Sequence, residues 1–192
     1  GSTFLPPGIL ALSSPFYGDE MQRFMSNYNR MSVWGVLVED VHPGKLRFTK
    51  DGQPLAFYRV TDEDKSRFQE GIAKLCEIFF AAGAREVHLP IHGQVSIRSY
   101  DDVRKFRRQK NKSSRLHLFT VHLMGTCRMG IDPQNSVVGA DHRVHGLQNL
   151  YISDASVFPS PIRVNPMITI MAMADRAADV FLESKRFLRK AA

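Results

Sequence analysis

Two groups of residues in this sequence have side chains and spacing suited to chemistry. The first centres on His122, which closes an apolar stretch and leads into Met124-Gly125-Thr126-Cys127-Arg128-Met129-Gly130. Imidazole is the side chain whose ordinary pKa best suits proton transfer near neutral pH. The small residues that follow would let a ligand approach the backbone closely. A histidine beside apolar residues is more often a hydrogen-bonded structural residue, so the residues alone leave both roles open. The second group runs from Asp154 through a proline-rich turn to Asn165-Pro166. Ligands of α/β folds gather beyond the carboxyl ends of strands, where Asp154 would lie. A helix opening at Pro166 would aim unpaired N–H groups and a partial positive charge at an anion or an electron-rich ring edge. A plain capped helix after a turn accounts for the same pattern equally well. Cys76 and Cys127 stand far apart in no CxxC pattern, so neither a metal nor a redox pair is expected, only two free thiols.

The elements that must hold these groups differ along the chain. Residues 3–30 read as irregular, broken by Pro6-Pro7-Gly8 and Ser13-Ser14-Pro15, with a short helix over Asp19–Tyr28. Ser32–Glu39, Lys45–Phe48 and Leu55–Val60 read as strands; turns at Pro43-Gly44 and Lys50-Asp51-Gly52 would join them into an antiparallel meander. Thr61 and Asp64 have the spacing of a capping box. The helix after them places Phe68, Ile72, Leu75, Cys76 and Phe79 on one stripe, suited to packing on a sheet, and Gly83 would end it. A strand over Glu86–Pro90, a second helix capped by Ser99 and Asp102, and a strand over Leu116–Met124 complete this part. In the last third, Asn149–Ser153 reads as a short strand. Pro166 opens a helix to about Lys185, with Asn165 as its N-cap. Met167-Ile168-Thr169-Ile170-Met171-Ala172-Met173-Ala174 is apolar or small on every side, the pattern of a helix covered all round in its native setting.

A hydrophobic fraction of 43% and a charged fraction of 23% fit an ordinary globular chain, and 192 residues can bury a real core. No apolar run is long enough to span a membrane, and no secretory leader is visible; a cytoplasmic location is the expectation. The net charge of +7 is concentrated between Arg104 and Arg115. Such a run could contact phosphates, but no nucleic-acid motif accompanies it, and a solvated helix end is the expected reading. Gly1-Ser2 has the look of a vector remnant, so the natural chain is expected to extend upstream.

The segment His122–Gly130, followed by Asp132-Pro133, Ser136-Val137-Val138, Arg143-Val144-His145-Gly146, Asn149–Pro159 and Val164–Ala172, resembles the C-terminal signature of the glucose–methanol–choline (GMC) family of flavin oxidoreductases. The resemblance is dense from His122 to Val180 and looser from Ser32 to Pro90. It implies an α+β fold: an antiparallel substrate-domain sheet packed with helices over residues 3–120, then over 121–192 the catalytic histidine segment and the strand–helix that returns to an FAD-binding domain. It implies that His122 takes the proton of an alcohol hydroxyl while the carbinol hydride passes to FAD, and that Asn165 hydrogen-bonds the substrate oxygen. Asp154 and Ala155 would approach the FAD pyrophosphate–ribityl region through backbone N–H groups. Asn165, Pro166 and Met167 would lie under the pyrimidine edge, where the reduced ring gathers negative charge.

There are departures from the family pattern. Ile162-Arg163 stands where many relatives have small residues, which would make the substrate entrance bulkier and more cationic. Gly139 replaces a frequent aspartate, a change expected to affect a local turn. No GxGxxG fingerprint occurs in these residues. The chain is therefore expected to be the C-terminal piece of an FAD-dependent alcohol dehydrogenase or oxidase whose N-terminal FAD-binding portion is its missing partner. Alone it is expected to bind FAD poorly and to be inactive. A flavin-free binding or interaction module that keeps the family fold is the alternative.

Overall fold

The computed structural model describes residues 2–3, 5–93, 96–118 and 120–191, with residues 2–3 and 185–191 described through their backbone alone. It divides into two compact units, Gly1–Phe119 and Thr120–Ala192, and its mixture of helices with small antiparallel ladders is α+β. In the first unit the order is β1 (Ser2–Thr3), α1 (Pro7–Ser13), α2 (Gly18–Met25), a 3-10 turn at Tyr28–Arg30, β2 (Val33–Trp34), β3 (Lys45–Phe48), β4 (Pro54–Phe57), α3 (Asp62–Ala81), α4 (Tyr100–Arg108) and a 3-10 turn at Ser113–Arg115. Pro7 begins a helix where the sequence predicts irregular chain: it occupies the first turn, where a missing N–H does no harm. That helix stops before Pro15, which disfavours helical backbone in its predecessor.

The expected meander does not form. β1 pairs antiparallel with β2, β3 pairs antiparallel with β4, and among the described residues no ladder joins the two pairs. The physical reason lies in the stretch after Trp34, read from sequence as strand to Glu39. Instead of continuing the ladder it runs along α3, where the Val41 N–H donates to Asp64 at 2.9 Å and Arg67 lies near Glu39. Gly71 allows the close approach: a Cβ there would sit 2.6 Å from Val36 Cγ1. The β3–β4 hairpin forms as the turn chemistry predicts, with Gly52 left-handed at φ +81 and the Thr49 N–H donating to the Gln53 carbonyl at 2.9 Å.

α3 opens on the expected capping box. The Asp64 N–H donates to Thr61 Oγ1 at 3.1 Å, and the Asp64 carboxylate accepts from the Thr61 N–H at 2.9 Å. The same buried carboxylate also takes the Thr61 hydroxyl at 2.7 Å and the Val41 N–H. Burial pushes the Asp64 carboxyl up, but the donors from Thr61 and Val41 outweigh it and hold the group below its ordinary 3.8. Because the folded value lies below the unfolded one, its stabilisation is present above that ordinary value and is lost as pH falls through the folded one. Asp64→Ala is expected to lower stability by about 2–3 kcal/mol near neutral pH, since charged hydrogen bonds vanish and buried donors are left unpaired. Urea unfolding should show the gap from the wild type narrowing below pH 3.8.

The stripe on α3 faces a different partner from the sheet expected for it. Ile72, Ala73 and Cys76 pack with Val103 and Phe106 of α4 and with Val87, Leu89, Ile91 and Ile97 of the intervening chain. That chain, expected to be a strand over Glu86–Pro90, is tied only by single bridges, Val87 to Ile97 and Ile91 to Leu116. Ser99 caps α4 by accepting the Asp102 N–H at 3.1 Å, as predicted. Gly83, at φ +89, stands just beyond the last turn of α3. Arg107 bridges two acids about two turns apart on α3, Glu70 at 2.9 Å and Glu77 at 2.6 Å, and Arg104 pairs with Asp101, so part of the basic run is engaged within its own unit. Cys76 and Cys127 are both free thiols; burial pushes the Cys76 thiol up to about 11.

Two further expected strands, one beginning in the first unit and one within the second, are replaced by single contacts. The Leu116–Met124 strand is absent among its described residues (Phe119 lies outside them), and Asn149–Ser153 holds one antiparallel bridge, Tyr151 to Arg143. Among the described residues no neighbouring strand completes a ladder with either stretch. A 3-10 turn at Ala155–Val157 follows, then α5 (Met167–Ala191). Val138 and Val157 are buried, and Ala177 of α5 is buried too, while Met167, Ile168 and Met171 stand exposed. Among the described residues no helix is long and apolar enough to cross a membrane.

Candidate active site

The second unit builds its polar centre from two loops. Gly125, left-handed at φ +84, turns the chain immediately after the His122 segment. The strip that follows is held against the 3-10 turn by the Cys127 N–H donating to Ser156 at 3.0 Å and the Met129 N–H donating to Val157 at 2.8 Å. These backbone bonds fix the register between the two loops without needing a full strand. Beyond the turn, the chain passes Pro159 and Pro161 and reaches Arg163, whose backbone is left-handed at φ 63.

The outcome of this routing is a single juxtaposition. His122 Nε2 lies 3.5 Å from Asn165 Nδ2, across 43 residues of sequence. The amide nitrogen can only donate, so Nε2 is the acceptor and holds its lone pair there. At 3.5 Å the contact is at the outer limit of a hydrogen bond, and the two groups can turn to a third polar atom at small cost. His122 is partly buried, its own N–H donating to Thr120 Oγ1 at 3.1 Å, whereas Asn165 is exposed. An acceptor nitrogen beside an amide donor is the equipment for drawing a proton from a hydroxyl while holding its oxygen.

The other expected residues are placed differently from one another. The Asp154 carboxylate accepts the Ser156 N–H at 2.8 Å and so caps the short 3-10 turn. No hydrogen bond among the described residues joins Asp154 or Ala155 to the His122–Asn165 pair. The Ala155 N–H donates to no acceptor among the described residues. Asn165 does not cap α5: the buried Pro166 supplies the first carbonyl, accepting the Ile170 N–H at 2.8 Å, and the helix begins at Met167. The N–H groups of Met167, Ile168 and Thr169 are left without intrahelical partners, as a helix start requires. Met167 is 65% exposed, so its side chain is available at that end.

One residue of interest has no clear sequence signal. His142 is buried with its backbone left-handed at φ 65, and its Nδ1 lies 3.0 Å from the Ile152 carbonyl. In the sequence it is one polar residue of Asp141-His142-Arg143. His145, three residues on, contacts Ser136 Oγ at 2.9 Å and the Gly130 carbonyl at 3.2 Å. Among the described residues no cluster of three or more His, Cys, Asp or Glu side chains could hold a metal ion.

Comparison with known proteins gives a consistent set of relatives. Residues 44–174 match the model of a GMC oxidoreductase domain. An uncharacterized GMC-type oxidoreductase of Mycobacterium tuberculosis is 33% identical over 178 residues, covering 93% of this chain and 28% of that protein. A long-chain-alcohol oxidase of Arabidopsis thaliana is 28% identical, over 88% of this chain and 24% of its own length. Among solved structures, pyridoxine 4-oxidase from Mesorbium loti superposes with a TM-score of 0.56 at 26% identity, over 76% of this chain and 28% of that one. The chain thus spans roughly a quarter of the length of each of these three relatives.

Proposed function

Because this chain belongs to the GMC oxidoreductase family, with residues 44–174 forming the matching part, we propose that it is the C-terminal part of an FAD-dependent enzyme that oxidises an alcohol. The observation that carries the proposal is the meeting of His122 Nε2 and Asn165 Nδ2 at 3.5 Å. His122 accepts the proton of the substrate hydroxyl at Nε2. Asn165 donates its amide N–H to the same oxygen, holding it toward the base and stabilising the charge that grows on it as the proton leaves. FAD, when bound, supplies the acceptor for the hydride that leaves the carbinol carbon.

The residues assigned to the cofactor fit it chemically. The Ala155 N–H and the first amides of α5 are donors without protein partners among the described residues. Donors of that kind suit the phosphate oxygens and the acceptor-rich edge of FAD. Asp154 contributes by fixing the turn that presents Ala155, and Asn165, Pro166 and Met167 form the edge of the helix start. Residues 3–120 are assigned to the substrate side, and residues 121–192 to the histidine segment and the chain's return to an FAD-binding domain. These 192 residues hold no GxGxxG fingerprint for the ADP half of the cofactor, so alone they are expected to bind FAD poorly.

The relatives' names support an alcohol as substrate: one is a long-chain-alcohol oxidase and another a pyridoxine 4-oxidase. The test is anaerobic addition of a panel of aliphatic and aromatic primary alcohols to the longer polypeptide carrying this chain, purified with its flavin. At least one alcohol is expected to bleach the visible flavin band within the mixing experiment. A polypeptide that purifies without flavin and takes none up, or whose flavin no alcohol reduces, would overturn the proposal in favour of a binding module on the same fold.

A further inference from the structure

We propose that His142 is a positioning residue that clamps Ile152 and thereby sets the Asp154–Ala155 turn for FAD; the cofactor part of this inference rests on the function proposed above. The clamp is double. His142 Nδ1 lies 3.0 Å from the Ile152 carbonyl, and the Ile152 N–H donates to the His142 carbonyl at 3.0 Å. Both backbone groups of Ile152 are therefore satisfied by one residue: its N–H within the single Arg143–Tyr151 bridge, and its carbonyl, which that bridge leaves over, by the His142 side chain. A carbonyl can only accept, so Nδ1 carries a proton and donates it to Ile152.

Two features oppose placing a histidine here unless its donor is needed. Its backbone is left-handed at φ 65, a region that favours glycine or asparagine. Its Nε2 is buried with no hydrogen-bond partner among the described residues. An apolar side chain would fill the space without stranding a nitrogen, and a glycine would relax the backbone, but neither could donate to Ile152. Strain of this kind persists where the surroundings hold a specific conformation.

The loop bearing His142 is itself anchored. The His142 N–H donates to the Gly139 carbonyl at 3.0 Å, the Gly139 N–H donates to Arg143 at 2.9 Å, and Arg176 of α5 donates to the Ala140 carbonyl at 2.7 Å. The clamp thus ties Ile152, two residues before Asp154, to a loop fastened on α5. The two groups of amides assigned above to FAD, Ala155 and the start of α5, are held in one frame through His142.

The test uses the longer flavoprotein with His142→Gly and His142→Asn. Glycine relieves the backbone and deletes the donor; asparagine tolerates the left-handed backbone and keeps an N–H to offer. Hydrogen exchange of the peptide spanning residues 150–156 should quicken in H142G and return toward wild type in H142N. Reconstitution of the apoprotein should show FAD dissociation rising about tenfold in H142G and recovering to within about threefold in H142N. Should H142G give no folded protein, the same two measurements on H142A decide.

A folded variant lacking the donor that binds FAD with wild-type affinity overturns the inference. So does an H142N that is no better than H142G, because the histidine would then be filling space. If the wild-type polypeptide binds no flavin, the proposed function falls separately, and the clamp is judged on exchange at residues 150–156 alone. Unchanged exchange in H142G would then end it, and accelerated exchange would sustain it.

Discussion

With His122 replaced by alanine, the flavin-loaded protein is expected to keep its flavin and to be reduced by alcohol about a hundred- to ten-thousandfold more slowly. The size follows from what the substitution removes. His122 presents Nε2 as an acceptor at the Asn165 amide, and no other side chain is hydrogen-bonded to Asn165 among the described residues. Alanine leaves Asn165 able to hold the alcohol oxygen but leaves the hydroxyl proton no base except water. The loop should survive the change, because its register depends on the backbone bonds from Cys127 and Met129 to the 3-10 turn. Anaerobic single-turnover reduction, followed in the flavin band, measures the step directly. Reduction at the wild-type rate would remove His122 from the role of base and leave Asn165 as a binding group only.

The largest expected loss of stability is in the first unit. Phe106→Ala should destabilise it by about 3–5 kcal/mol, the range for emptying a packed aromatic site. Phe106 is 2% exposed and, with Val103, is what α4 buries against α3. Its carbonyl also accepts from the Gln69 side chain, so the contact point is shared by packing and hydrogen bonding. Apart from Tyr100, whose ring lies 5.6 Å from that of Phe80, the rest of α4 is charged. Arg107 reaches Glu70 and Glu77, but those pairs are partly open to solvent and such contacts contribute little each. Domains of this size are stable by about 5–15 kcal/mol, so the variant should lose a large share of the total. Urea unfolding followed by the loss of helix would show a midpoint far below wild type; a shift of less than about 1 kcal/mol would mean that α4 is held by its ion pairs after all.

What could be read in advance was what neighbouring residues decide among themselves. Thr61 with Asp64, Ser99 with Asp102 and the Gly52 turn are each settled within a few positions, and each appears as expected. Ser32–Glu39 has the composition of a strand, yet only Val33–Trp34 pairs. The rest is drawn onto α3 by Asp64 and by the space at Gly71, partners about 30 residues away that no local pattern reveals. Leu116–Met124 and Asn149–Ser153 likewise lack a ladder because nothing beside them completes one.

The candidate site divides in the same way. The order of motifs brings His122 and Asn165 forward as a pair, and they meet in the structure; their roles remain a proposal. The expected helix opening at Pro166 behind an Asn165 cap gives way to a helix that begins at Met167, with the Pro166 carbonyl taking the Ile170 N–H. His142 escapes notice because its meaning depends on being buried against Ile152, and a histidine between Asp141 and Arg143 gives no sign of burial.

Gly71 has a bearing on how this protein could be re-engineered. A glycine inside a 20-residue helix is the position that propensity-based stabilisation would change first, for a gain of about 1 kcal/mol on going to alanine. Here the added methyl would arrive 2.6 Å from a branched valine carbon that has little freedom to turn aside. The gain would be spent on displacing the chain that threads past Val36 to Val41. Gly71 and Val36 therefore form one unit of mutation: a library that varies either alone samples mostly clashes or voids, and only joint variation can exchange the small residue from one side of the contact to the other.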